Sequence, residues 1–340
     1  MVKRGQSTMD VLVTGGAGFI GSNLLRRLLR ESAVRRIICV DLLTGAGRLE
    51  NIQPLLGDSR LQLLQVDLKD GSAIQRLISE ERPPHVVHLA AETHVDRSID
   101  APKSFVETNV LGTLNLLTAC RTCWGPKEGK FLHVSTDEVY GALGFTGKFT
   151  EESPYLPNSP YSASKAGADC LVRAWHHTFG FPTLIVHPSN NYGPYQHPEK
   201  LIPKVVRCAL ERSPIPIYGE GQNVRDWIFV EDTCSAIWET LIRGRVGERY
   251  NVGANEEVSN ITLVKEICRI FDAVAPEYGG NSEKLIAYVS DRPGHDFRYA
   301  LDTKKIAREI GWKPTVKLGE GLRKTIQWCL EHKEWLLSAR

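Results

Sequence analysis

Between two apolar runs the chain reads Gly15-Gly16-Ala17-Gly18-Phe19-Ile20-Gly21. Residues 10–14 before it read as a strand, and residues 22–30 after it continue as a helix. Glycines at 15, 18 and 21, with Phe19 and Ile20 between them, let the backbone turn tightly and approach a pyrophosphate; the helix start behind them supplies amide donors and a favourable dipole. A strand–glycine loop–helix unit of this kind commits the chain to an α/β fold. A second strand, 36–40, ends at Asp41, about twenty residues after Gly21, where a carboxylate holds the adenosine ribose 2′-hydroxyl of NAD and repels a 2′-phosphate.

The alternation continues. Residues 61–66 read as a third strand closed by Asp67-Leu68, where the aspartate accepts from an adenine amino group. Residues 85–89 form a fourth, followed by Ala90 and Ala91, small enough for close packing on a flat cofactor, and then Thr93. Residues 104–123 have helical spacing of Val106, Val110, Leu114 and Leu117, with Thr108 and Asn109 able to point inward. A fifth strand, 131–134, runs into Ser135-Thr136-Asp137-Glu138-Val139-Tyr140, which places two carboxylates at a strand's carboxyl end, where open α/β sheets bind ligands. Ser159 caps a helix with Pro160 in its first turn. Tyr161 and Lys165 are four apart on it and share a face; a lysine ammonium there lowers the tyrosine pKa from its usual value of about 10 and makes a phenolate base. A sixth strand, 183–187, precedes Asn190-Asn191-Tyr192-Gly193-Pro194.

The predicted architecture is a Rossmann-type doubly wound parallel sheet with a smaller carboxy-terminal substrate-binding lobe. Residues 9–189 form the NAD-binding domain, with a later return to the sheet around 225–252. Residues 190–338 form mainly the second lobe, and 1–8 a flexible extension, with Met9 an alternative start. At 340 residues, two lobes are expected. Lys plus Arg number 42 against 40 Asp plus Glu, which argues against nucleic-acid or membrane-surface binding driven by charge. No apolar run approaches the roughly 20 residues of a membrane span. The eight cysteines include one C-x-x-C, Cys120 and Cys123, with no second pair for zinc; no metal site is predicted, and reduced thiols fit the cytoplasm.

The glycine pattern, Asp41, Tyr161-x-x-x-Lys165 and the second lobe resemble the extended short-chain dehydrogenase/reductase family. Thr136-Asp137-Glu138, Asn190-Asn191-Tyr192-Gly193-Pro194 and Asp291-Arg292-Pro293-Gly294-His295-Asp296 narrow the resemblance to the dTDP-glucose 4,6-dehydratases. That resemblance implies a lyase reaction in which NAD is recycled. Hydride leaves C4 of the glucose while Tyr161, supported by Lys165, accepts the O4 proton; Glu138 removes the C5 proton, Asp137 protonates the departing C6 hydroxyl, and hydride returns to C6 to give dTDP-4-keto-6-deoxyglucose. Thr136 bonds O4. Asn191 joins the cofactor contacts. Asn190 and Arg225 hold the diphosphate; Lys200, Leu201, Pro216, Tyr218 and Asn260 line the nucleotide pocket, with Arg292 and His295 nearby and Thr93 at the sugar. Arg225 has an alternative as an ion pair with Asp226 or Glu231. The helices 104–123 and 160–179 are implied to pair in a homodimer.

Two departures stand out. Where the family carries Lys-Leu-Thr-Tyr after the ribose aspartate, this chain has Leu42-Leu43-Thr44-Gly45, and His187-Pro188 precede Ser189 where a small or thiol residue is commoner. UDP-glucose or another nucleotide sugar is therefore an alternative substrate. A 4-epimerase needs no acid for C6, and a UDP-glucuronate decarboxylase site resembles Ser-Glu, so Asp137 argues against both. A non-catalytic dinucleotide sensor would not need Tyr161 and Lys165.

Overall fold

In the computed structural model Val11 and Val13 face one side of the first strand and Leu12 the other, and all three are fully buried. A strand apolar on both faces belongs inside a parallel sheet covered by helices on each side. The structure describes residues 8–125 and 129–338, so the expected amino-terminal extension lies, apart from Thr8, outside the described residues.

In chain order the strands are β1 (Met9–Thr14), β2 (Val34–Val40), β3 (Leu61–Leu64), β4 (His85–His88), β5 (Lys130–Val134), β6 (Thr183–Pro188), β7 (Asn190–Tyr192), β8 (Ile215–Tyr218), β9 (Val224–Phe229), β10 (Arg249–Val252), β11 (Glu257–Ser259) and β12 (Ile286–Val289). Seven form one sheet in the order β10-β6-β5-β4-β1-β2-β3, parallel throughout. This is the Rossmann-type doubly wound sheet. Its order reverses at β1 and β4, which opens a crevice at their carboxyl ends.

One face of the sheet packs Val11, Val13, Leu132 and Val134 against the helices Phe19–Leu28 and Val230–Arg243. The other packs Leu12, Ile38 and Phe131 against Gly71–Glu81, Gly112–Cys123 and Pro160–Phe179. Each such side chain contributes about 1.5–3 kcal/mol by leaving water.

The return to the sheet consists of the helix Val230–Arg243 and β10. β9 instead sits in a three-stranded sheet, β11-β9-β7. Its Trp227 and Phe229 join Tyr192, Ile202, Leu263 and Leu322 in a separate core under the helices Leu201–Glu211, Asn260–Val274 and Leu318–Glu331. β8 and β12 pair in parallel as a third small sheet.

The expected single helix over 104–123 is interrupted. Pro102–Phe105 is α-helical, Val106–Leu111 is a π-helical segment, and α-helix resumes at Gly112–Cys123. Apolar spacing does not reveal one inserted residue. The insertion re-aims Thr108 and Asn109.

Candidate active site

The crevice is a cleft of about 550 Å³ running along the carboxyl ends of β1, β2, β4, β5 and β6. Gly15 stands at its base with φ +70°, and a Cβ there would lie 2.7 Å from the Ala90 nitrogen. A Cβ on Gly21 would overlap the Gly15 carbonyl oxygen, so the third glycine lets the helix Phe19–Leu28 start close against the turn. Asp41, at the end of β2, accepts from the Ala17 and Leu43 backbone N–H groups, each at 2.9 Å. Burial pushes its carboxyl up, and those two donors pull it back. A cradle that side chains would fill, with a fixed carboxylate about twenty residues on, fits a dinucleotide.

Every residue expected at the cofactor lines this cleft: Gly15, Gly18, Phe19, Ile20, Gly21, Asp41, Asp67, Leu68, Ala90, Ala91, Thr108, Tyr161, Lys165 and Asn191. Thr93, Thr136, Asp137, Glu138, Asn190 and Lys200 line it too. The buried Oδ1 atoms of Asn190 and Asn191 have no hydrogen-bond partner among the described residues, as expected of groups that meet a ligand.

Asn109, on the π-helical segment, ties the cleft wall together. Its Oδ1 accepts from Glu92 N at 2.8 Å, and its Nδ2 donates to Glu92 O at 3.0 Å and to Ser164 Oγ at 2.8 Å. Ser164 in turn donates to the Tyr161 carbonyl at 2.7 Å. Tyr161 and Lys165 lie on Pro160–Phe179, which begins with the expected cap: Ser159 and Ser162 exchange side-chain and backbone bonds, with Pro160 in the first turn.

The acids follow β5 directly. Thr136 caps a short turn at Asp137–Tyr140; its hydroxyl accepts from Glu138 N and donates to Asp137 Oδ1, both at 3.3 Å. Asp137 is 2% exposed and its Oδ2 has no hydrogen-bond partner among the described residues. Burial, and then the Glu138 charge, hold its carboxyl well above the ordinary range. Burial raises Glu138 as well, but Arg225, Arg292 and Lys200 oppose the rise. Both acids are raised by burial, but the rise is opposed by one cation, Arg225, at Asp137 and by three at Glu138.

For Tyr161 the direction differs from the sequence expectation. Burial and the Glu138 charge push its phenol above the ordinary value, and the neighbouring Thr136 hydroxyl works against that rise. Lys165 donates instead to the Val134 carbonyl at 2.8 Å and lies 3.4 Å from His133 Nε2. Four-residue spacing placed the two side chains on one face; it did not say what else the lysine would meet.

The remaining expected residues lie outside the cleft wall, in the second lobe. Arg225 is 4% exposed and pairs with neither Asp226 nor Glu231. It donates to the carbonyls of Val224 (2.8 Å), Asp296 (2.9 Å) and Phe297 (3.3 Å). Arg292 and Tyr218 both reach Asp96, at 3.3 and 3.5 Å, while Lys200 donates to Thr93 O at 3.1 Å. His295 pairs with Asp291 at 2.7 Å. Leu201 opens the helix Leu201–Glu211, Pro216 lies on β8, and Asn260 opens the helix Asn260–Val274. Sequence reasoning missed Asp96, which joins Tyr218 to Arg292. It also missed Asp169, whose place four residues after Lys165 was a readable signal, and His133, two residues before Ser135.

The chain matches the GDP-mannose 4,6 dehydratase family over residues 12–325. It is 51% identical over 332 residues to a dTDP-glucose 4,6-dehydratase of Xanthomonas campestris pv. campestris (strain B100), covering 96% of this chain and 94% of the relative. It is 49% identical over 335 residues to a dTDP-glucose 4,6-dehydratase of Neisseria meningitidis serogroup B, with the same coverage of 96% and 94%. Among solved structures, the dTDP-glucose 4,6-dehydratase DesIV of Streptomyces venezuelae, crystallised with NAD bound, superposes with a TM-score of 0.89 at 42% identity, over 98% of this chain and 100% of that one. A UDP-glucose 4-epimerase of Thermotoga maritima superposes with 0.85 at 28% identity, over 95% and 99%.

Proposed function

The chain belongs to the GDP-mannose 4,6 dehydratase family, and we propose that within it this protein is an NAD-dependent dTDP-glucose 4,6-dehydratase, a hydro-lyase making dTDP-4-keto-6-deoxyglucose. One observation carries the reading: Asp137 and Glu138, adjacent and buried but unequally opposed by cations, line the same dinucleotide cleft as Tyr161. NAD supplies a hydride acceptor for C4 and the hydride returned to C6, and its cationic ring favours the Tyr161 phenolate.

Tyr161 takes the O4 proton. A ketone at C4 acidifies the C5 proton, and Glu138, whose rise on burial is opposed by Arg225, Arg292 and Lys200, removes it. Asp137, held protonated, gives its proton to the departing C6 hydroxyl. Thr136 fixes the Asp137 carboxyl and bonds O4. Residues 9–189, with β10, hold the cofactor through Gly15, Gly18, Gly21, Asp41 and the other cleft-wall residues. Residues 190–338 hold the nucleotide sugar: Asn190 and Arg225 the diphosphate, and Lys200, Leu201, Pro216, Tyr218, Asn260, Arg292 and His295 the nucleotide side. Thr93 contacts the sugar.

The exposed apolar side chains of Val106, Leu111 and Phe179 support a homodimer through the stretches 104–123 and 160–179; sedimentation of the Val106→Glu, Leu111→Glu variant should give a monomer, and a monomeric wild type would end this reading. Eight free cysteines support a cytoplasmic protein. Among the described residues no helix is long and apolar enough to cross a membrane.

Purified protein with dTDP-glucose and NAD should lose one water by mass and give a product absorbing in the ultraviolet in base. Turnover of UDP-glucose in preference would move the nucleotide assignment, which the changed loop at Leu42–Gly45 makes worth testing. No turnover of either would end the dehydratase reading. An epimerase reading has the related fold behind it but leaves Asp137 without a task.

A further inference from the structure

Behind Lys165 lies a cluster of ionisable side chains that the reaction above does not use. Asp169, four residues along the same helix, is 1% exposed. Ser135 Oγ donates to its Oδ2 at 2.7 Å, and His187 Nε2 lies 3.0 Å from that oxygen. His133 Nε2 lies 3.2 Å from Oδ1. That same nitrogen is 3.4 Å from Lys165 Nζ. One ring nitrogen carries either a hydrogen or a lone pair, so it serves the lysine or the carboxylate but not both. With the hydrogen on Nδ1, that N–H and Asp169 Oδ1 are both left buried without a partner. With it on Nε2, a small ring turn brings it onto Oδ1. Lys165 then keeps its bond to Val134 and has its other N–H groups free for the cleft. A buried carboxylate oxygen favours the second arrangement.

We infer that Asp169 is a positioning residue for Lys165: it holds His133 in the Nε2–H form, which directs the lysine ammonium to the cleft, and it supplies the opposing charge for that ammonium. The groups facing Lys165 are the Val134 carbonyl and His133 from β5, Tyr161 and Asp169 from its own helix, His88 from β4 behind the His133 ring at 5.1 Å, and His187 from β6 through Asp169. Burial pulls Lys165 down to about 8, and Asp169 works against that fall. Burial also holds His133 down to about 4 and His88 well below its usual value, so both rings stay neutral.

The inference rests on Tyr161 and Lys165 serving the oxidation step, and its test separates the two. The pH dependence of kcat with dTDP-glucose is measured for wild type and Asp169→Asn. Loss of the carboxylate lowers the Lys165 pKa, so the alkaline limb should move to lower pH by about one unit. An unmoved limb in a folded variant overturns the inference. Independently of activity, ring-nitrogen NMR of the wild type, assigned with His133→Gln, should show His133 as Nε2–H; the Nδ1–H form overturns the inference even if Asp169→Asn does not fold. A wild type without turnover counts against the dehydratase reading instead, and the ring spectrum then decides the positioning role alone.

Discussion

The guanidinium of Arg225 lies over the ring of Tyr299, 4.3 Å from its centre, and its charge acts on Glu138 from the second lobe. The cation is held by ring and backbone carbonyls, with no ion-pair partner among the described residues, and its field reaches Glu138. Arg225→Gln should therefore let burial raise Glu138 further. A base with a higher pKa stays protonated to higher pH, so the acid limb of kcat should move up by about one unit. The profile is read at saturating nucleotide sugar, because the same change weakens binding. A limb that stays in place would show that Arg225 does not set Glu138.

Asp137→Asn combined with Glu138→Gln should stop elimination while leaving oxidation. The turnover rate should fall on the order of 10²–10⁴-fold, while reduced nicotinamide accumulates in a single turnover. Normal water loss by mass spectrometry would refute the assignment. Stability should not suffer. A buried carboxyl with a raised pKa opposes folding above its ordinary pKa, so the Asp137→Asn melting temperature should hold or rise at neutral pH and above.

Asp41→Ala removes the carboxylate fixed by Ala17 and Leu43. Binding titrations should show NAD affinity falling on the order of tenfold to a hundredfold, the worth of a hydrogen bond to a charged group. NADP should gain relative to NAD, because the charge that repels its 2′-phosphate is gone. An unchanged ratio would place the ribose elsewhere.

Gly21→Ala puts a methyl onto the Gly15 carbonyl and within 2.7 Å of Gly16 Cα. Backbone cannot yield as a flexible side chain does. Thermal unfolding should show a loss of about 1–3 kcal/mol, and NAD binding should fall with it. A variant that binds NAD normally would show that the turn has room it does not display.

By itself the sequence determined the scaffold and pointed to residues that the fold gathers along one cleft. Period-two and run-like apolar patterns, glycines between strand and helix, and Asp41 at a strand end are local signals, and each describes residues that act on near neighbours. The same holds for Ser159 and Pro160 at a helix start and for Asp137-Glu138 after β5. What the tertiary structure alone decided is the field in which those residues work. Arg225, Arg292 and Lys200 reach Glu138 from chain segments 62 to 154 residues away. Lys165 turned out to meet His133 and a backbone carbonyl as well, and Tyr161 shifted upward through burial and the Glu138 charge. The π-helical insertion at Val106–Leu111, which places Asn109 against both Glu92 and Ser164, depends on packing between helices that no apolar spacing encodes. Charge and burial act through space, so a linear pattern marks two adjacent carboxyls, but only the fold sets the fields they experience.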